Sequence, residues 1–273
     1  ENFNRSFVSD GFTPIHLSGD APDPFDRIES KTPDVGESTI DTKSPLVSVV
    51  FTTFRPTRYE LMTSVRSILN QTVTNIEVLI VDDASGPEFT GLLDEIEKLD
   101  SRVEVIRLNK NGGTYVARNI GFERANGKYV TGQDDDDWSH PQRLETQVRH
   151  LKEHRDSVGC RISAVFCLPN LSRTRLGYRP ANSNASSLMV PKEVMHESGG
   201  FLPIRKAADT ELARRIERIF EKKIDDLSYR LSIVRVEPDS LSRSEFGAGW
   251  SHPARNQFKS SYSYWQKTAT AHE

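Results

Sequence analysis

Two cysteines among 273 residues, Cys160 and Cys167, are too few for a disulfide framework, and no Cys/His spacing of the zinc-binding kind accompanies them. They lie at either end of one short apolar stretch and read as free thiols in a reducing compartment. Long hydrophobic runs are also missing. No stretch approaches the roughly 20 apolar residues needed to cross a bilayer, and the first residues lack the basic start and apolar core of a secretion signal. The expected location is therefore cytoplasmic, either free or peripheral at the inner face of the membrane. Charge of one sign is lacking as well: 36 basic residues against 39 acidic ones give a formal net charge of −3. No broad positive field exists to draw the chain to nucleic acid. A phosphate-cradling glycine loop is absent too, because NGG at 111–113 is not followed by Gly-Lys-Ser/Thr and does not fit G-x-G-x-x-G. Gly112 and Gly113 read instead as the stop of one element and the start of the next.

What is present falls into three parts. Residues 1–44 are rich in Pro, Gly, Ser and Asp, without a sustained period, and read as an extended acidic arm or linker. Such an arm is either disordered or draped over the body through Phe3, Phe7, Phe12 and Ile15. From Pro45 to about residue 237 short apolar runs alternate with helical periods. LVSVVFTT, IEVLIVDD, RVEVIRL and KYVTG read as strands, and the segments between them carry apolar residues at helical spacing. Strands separated by helices predict an α/β domain with a Rossmann-like, mainly parallel sheet, divisible into a half at 45–140 and a less regular half at 141–237. In the second half, ISAVFCL, SSLMV and LSIVRV read as strands. HPQRLETQVRHLKEH, PKEVMHESGGF and ADTELARRIERIF read as helices. Residues 238–273 form an aromatic, polar tail that could close over a site as a lid.

The chemistry gathers where strands end. Thr52 and Thr53 follow the first strand, Asp82 and Asp83 the second, and Asp134, Asp135, Asp136 and Asp137 the fourth. In a parallel sheet all three groups meet at one edge, where ligands of such sheets bind. Four adjacent carboxylates repel one another, and a hard divalent cation, Mn2+ or Mg2+, offsets that repulsion while keeping positions open for phosphate oxygens. Asp134 and Asp136 alternate and can reach one ion. Asp137 or Ser139 can instead cap the helix that opens near Pro141. Arg118, on the helix after NGG, offers a donor fork to a carboxylate or a pyrimidine carbonyl, unless it is simply an exposed helical residue. In the tail, His252 could complete the metal shell, Trp250 could stack on a sugar or base, and Arg243 is a weaker diphosphate contact. Trp138 and His140 read as shaping the start of the next helix.

VSVVFTTFRP, VLIVDDAS, NGGTYVARNIGFERANGKYV and DDDDWSHPQRL, in this order and spacing, resemble the successive signatures of the family 2 glycosyltransferases with the GT-A fold. The likeness runs from about Pro45 to Phe220. It implies a nucleotide-sugar donor, with Thr52 and Asp83 on the base and Thr53, Arg118 and Asp135 as further nucleotide contacts. It also implies a D-x-D pattern in which Asp134 comes first and Asp136 is the main metal ligand. KAADTELARRI resembles the segment that supplies the family's general base, which places Asp209 in that role with Glu211 as the fallback. An Asp before an amphipathic helix is also what an ordinary helix start looks like.

The function expected from the resemblance is metal-dependent, inverting transfer of a sugar, with a UDP-sugar as the expected donor. The acceptor would be a saccharide or a lipid-linked saccharide in the synthesis of capsule or other surface polysaccharide. Two alternatives stay open. One is a catalytically silent GT-A module that binds nucleotide or carbohydrate within a larger synthase. The other is a sugar nucleotidyltransferase, although TTFRPTRYE stands where its basic glycine loop should be.

Overall fold

The structure is a computed structural model that describes residues 2–33, 44–172, 181–204, 207–236, 258, 260–262, 264 and 265. The first segment forms helix α1 (Asn2–Ser9) and a hairpin of strands β1 (Ile15–Leu17) and β2 (Ile28–Ser30). The body then runs β3 (Val47–Thr53), α2 (Arg58–Leu69), β4 (Ile76–Asp82), α3 (Thr90–Glu97), β5 (Val103–Arg107), α4 (Thr114–Arg124) and β6 (Tyr129–Asp134). There follow β7 (Trp138–Ser139), α5 (Arg143–Glu153), β8 (Ser157–Cys167), β9 (Ala181–Ser183), β10 (Met189–Pro191), α6 (Lys192–Glu197), α7 (Ala208–Phe220) and β11 (Lys223–Arg235).

The nine-stranded sheet has the order β5-β4-β3-β6-β10-β8-β11-β7, with β9 paired to β8. Its first four strands are parallel, as the alternation of strands and helices predicts. The second half is mixed: β10 is antiparallel to β6 and to β8, β11 is parallel to β8, and β7 is antiparallel to β11. Residues of β3 bury both faces by strict alternation. Val49 and Phe51 join α2 and α3 through Leu61, Val65, Ile68, Leu93 and Ile96, and Val50 joins α4 and α7 through Ala117, Phe122, Leu212 and Ile216. Helix α2 starts on Thr57, whose side chain accepts from the Glu60 amide, so the T-x-x-E spacing marks its first turn. The cysteines of β8 are buried, and burial pushes both thiols up to about 12, which leaves them unreactive.

Three sequence expectations are revised. Of the two readings of the N-terminal segment, residues 2–33 show the packed one: Phe7 and Phe25 are 2% and 0% exposed. The last strand is longer than LSIVRV, because the charged stretch before it pairs along β8 with Asp225 opposite Cys160 and Asp226 opposite Arg161. An exposed Arg161–Asp226 ion pair replaces the apolar alternation that would have revealed this extension. Neither Asp137 nor Ser139 caps α5, which begins after Gln142 without a side-chain cap.

Two buried polar groups hold this frame. Arg143, 1% exposed, donates to Gln147, to Gln133 at 2.6 Å, to Ser139 at 3.0 Å, and to the Thr131 hydroxyl and Gly132 carbonyl at 2.8 Å. It thereby ties β6 to α5, and burial lowers its pKa to about 10. His140 is fully buried and stacks on Phe7 with centroids 4.9 Å apart. Its Nε2–H donates to the Thr13 carbonyl at 2.9 Å while Nδ1 accepts from the Gln142 amide at 3.2 Å. Only the neutral ring satisfies both bonds, and burial pushes its pKa down from 6.5 to about 4. Among the described residues no helix is long and apolar enough to cross a membrane.

A lysine at position 143 cannot reach five acceptors, so Arg143→Lys is expected to lose on the order of 3 kcal/mol in urea denaturation. For His140 the folded pKa lies below the unfolded one, so its contribution is full above pH 6.5 and is lost as pH falls toward 4. Denaturation at pH 7 and pH 5 should show a loss on the order of 2 kcal/mol that is absent in His140→Asn.

Candidate active site

The parallel half of the sheet brings the three polar strand ends together. In the register of β3, Thr52 lies between Val81 of β4 and Asp134 of β6, and Thr53 lies beside Asp82. The edge is continued by the start of α4, which follows Gly113 at φ 88°, a backbone conformation that glycine adopts without strain.

Each aspartate of the run has a different environment. Asp134 forms an ion pair with Arg118, and its carbonyl accepts from the Ser64 hydroxyl at 2.8 Å. Asp135 accepts from the Thr53 hydroxyl. Desolvation, with Asp134 alongside, still raises Asp135 to about 7. Asp137, 2% exposed, accepts from the Arg235 amide at 3.0 Å. The half-buried Asp136 carboxylate bonds to no other side chain among the described residues. Burial first, then the neighbouring carboxylates, hold Asp136 and Asp137 well above the usual range. One carboxylate of the four, that of Asp136, thus has no hydrogen-bond partner among the described residues other than its own amide.

Arg118 is 6% exposed, which removes the exposed-helix reading. Its guanidinium pairs with Asp134, lies 5.9 Å from the Tyr115 ring and 5.8 Å from that of Phe201, and feels Asp209 as well. Tyr115, stacked on Phe201 at 5.2 Å, donates its hydroxyl to Asp209 in the first turn of α7. Burial and the Asp209 charge raise the Tyr115 pKa, so the phenol stays protonated and acts as the donor. Asp134, Arg118, Tyr115 and Asp209 therefore form one continuous polar chain. Tyr115 was missed in the sequence, although its i, i+3 spacing from Arg118 puts both on one helix face.

Asp83 is brought to the same edge, but both its oxygens are bonded to backbone amides, from Gly112 at 2.7 Å and Gly113 at 2.8 Å. It organises the turn into α4, and any contact with a base would use its remaining lone pairs. Asp82 binds Ser85. Glu211 is corrected as a fallback base: it is fully buried and held by both nitrogens of an Arg215 fork at 2.8 Å. Arg215 also donates to the carbonyls of Ser198 and Gly200, so the pair is a packing clamp. Arg243, Trp250 and His252 lie outside the described residues. Of the tail, Tyr262 is buried, with the Arg214 guanidinium 5.7 Å from its ring.

No three His, Cys, Asp or Glu side chains among the described residues form a group able to hold a metal ion. The donor set still suits a hard divalent cation. Asp134 and Asp136 offer carboxylate oxygens, the Asp136 carboxylate is unbonded to other side chains, and Mg2+ or Mn2+ sites commonly take one or two carboxylates with phosphate and water completing the shell. A cavity of about 310 Å³ lies elsewhere, between β2 and α2, lined by Glu29, Arg66, Asn70 and Trp138 among others, and includes none of these site residues.

Comparison with known proteins bears on the family and the fold. Residues 48–213 match the model of "Glycosyl transferase family 2". The chain is 34% identical over 124 residues to a putative glycosyltransferase, EpsH, of Bacillus subtilis, covering 45% of this chain and 36% of that protein. It is 38% identical over 109 residues to the putative teichuronic acid biosynthesis glycosyltransferase TuaG of the same organism, covering 40% and 43%. Less than half of the length of either relative is therefore spanned. Glycosyltransferase GlyG of Streptococcus pneumoniae is 28% identical over 235 residues, 76% of each chain. Among solved structures, S. aureus TarS 1–349 in complex with UDP-GlcNAc superposes with a TM-score of 0.60 at 18% identity, over 74% of this chain and 61% of that one. This likeness shows the fold, a curled α/β sheet with flanking helices of the GT-A type. With more than half of its length inside the family match, the chain belongs to glycosyl transferase family 2.

Proposed function

We propose that this protein transfers a sugar from a nucleotide donor, a UDP-sugar, to a saccharide hydroxyl with inversion at the anomeric carbon. The observation that carries the reading is the register that sets Thr52 beside Asp134, next to an Asp136 carboxylate that no other described side chain occupies. The donor class is supported by family membership and by the UDP and UDP-GlcNAc complexes of TarS, whose fold this chain shares. A role in surface polysaccharide synthesis is supported by the teichuronic acid assignment in the name of TuaG.

Thr52, Thr53 and the Asp83 turn would line the nucleoside, and Arg118 would keep Asp134 oriented. Asp134 and Asp136 would hold Mn2+ or Mg2+, which when bound supplies Lewis-acid neutralisation of the diphosphate. Asp209, oriented by the Tyr115 hydroxyl, would accept the acceptor proton as that oxygen forms its bond to the anomeric carbon. The bond from that carbon to the diphosphate oxygen breaks, and its electron pair leaves with UDP. Single displacement uses no enzyme nucleophile and inverts the configuration.

Asp136→Ala is expected to reduce UDP affinity in Mn2+, measured by calorimetry, to the value found with a chelator. Asp209→Asn should bind UDP like the parent and lose about 10²- to 10⁴-fold in transfer rate. Equal transfer by both variants and the parent would overturn the roles. NMR of the first product formed from an α-linked donor should show a β-linkage; a retained α-linkage excludes single displacement.

A further inference from the structure

Arg235, the last residue of β11, lies outside the family match, as does the N-terminal turn that it touches. Its amide donates to the Asp137 carboxylate at 3.0 Å, and its Nε reaches the Asp136 carbonyl at 3.4 Å. The rest of the guanidinium is gripped from the other side. It pairs with Asp26, the two side chains being 1% and 3% exposed, and its carbon lies 4.3 Å from the ring centroid of the fully buried Phe25. Asp23 and Glu60 stand 3.8 Å and 3.9 Å away. The turn is itself tied down, since the Phe25 amide donates to the Pro169 carbonyl at 2.9 Å.

The mode of contact matters. An arginine placed to neutralise the aspartate run would pair with carboxylates, yet Arg235 meets Asp136 through its backbone oxygen. Arg235 thereby holds the Asp136 backbone and leaves the Asp136 carboxylate without a side-chain partner among the described residues. A buried pair such as Arg235–Asp26 is costly to desolvate and adds little net stability, so geometry is what it supplies.

We propose that Arg235, held by the Asp23–Arg27 turn, is a positioning residue that fixes the Asp136–Asp137 backbone for the metal-nucleotide complex. The N-terminal segment is thereby a working part of the site rather than a linker. This rests on the donor-side reading of Asp136 given above.

The test compares parent, Asp26→Ala, Asp26→Asn and Arg235→Lys for Mn2+·UDP affinity by calorimetry, for amide hydrogen exchange and for thermal unfolding. The expected result for Asp26→Ala is a loss of about 10- to 100-fold in Mn2+·UDP affinity. Exchange should quicken at residues 134–139 and stay unchanged in β4. Arg235→Lys should behave alike, because an ammonium cannot span Asp26 and the Asp136 carbonyl together. Asp26→Asn, which keeps volume and an acceptor, should be intermediate, and it decides the matter if the alanine variant does not fold. A lowered unfolding temperature with parental affinity and exchange would overturn the proposal, leaving a purely structural pair. If the parent itself fails to bind UDP with Mn2+, the functional reading falls. Exchange at 134–139 then decides the positioning claim alone: quickened exchange sustains it and unchanged exchange overturns it.

Discussion

Mutual repulsion among four successive carboxylates is the constraint around which this half of the molecule is organised. Two unit charges at about 4 Å interact by roughly 4 kcal/mol near a protein surface, which is comparable to much of a domain's net stability. The fold meets this by giving the aspartates unlike partners. Asp134 has an arginine, Asp135 a threonine hydroxyl and Asp137 the amide of Arg235, while Asp136 has no side-chain partner among the described residues and only its own amide. The separation works because β6 ends in a tight turn, with the Asp137 amide back on the Asp134 carbonyl, so that consecutive side chains leave in different directions. A buried guanidinium on Arg143 sits behind the turn; burial lowers its pKa, and the fields of Asp137 and Asp134 oppose that shift.

Much of this architecture was legible in the sequence because the parallel half obeys simple periods. All four parallel strands and the helices between them fall within a few residues of where the apolar patterns put them. The convergence of Thr52, Asp83 and Asp134 then followed from the parallel topology alone. The mixed half was harder. Its β9 has three residues and β7 two, too short to carry any period, and the charged start of β11 hides a strand behind an ion pair.

The site residues that escaped notice share one property, which is that they act through another group. Tyr115 is visible only through Asp209, and Arg235 only through Asp26 and the Asp136 carbonyl. Arg235 did leave a trace, a charge inside the otherwise apolar LSIVRV, and such a charge demands a buried partner. The partner lies 209 residues away in the chain, in a segment whose composition argues for disorder. Composition failed there because a few aromatic anchors, Phe7 and Phe25 above all, outweigh a polar average when the body offers His140 and Arg235 as docking points.

The two arginines divide the site between them. The Arg235 guanidinium meets the aspartate run at the Asp136 carbonyl, whereas that of Arg118 is engaged with carboxylates on two elements, β6 and α7. It pairs with Asp134 and lies within the field of Asp209, with the Tyr115 ring between its own helix turn and α7. Any change of charge at Asp134 therefore alters the potential felt at Asp209 through a guanidinium that is too buried for water to screen well. Asp134 and Asp209 are coupled by that geometry, and the coupling is reciprocal: a change of charge at either is felt at the other.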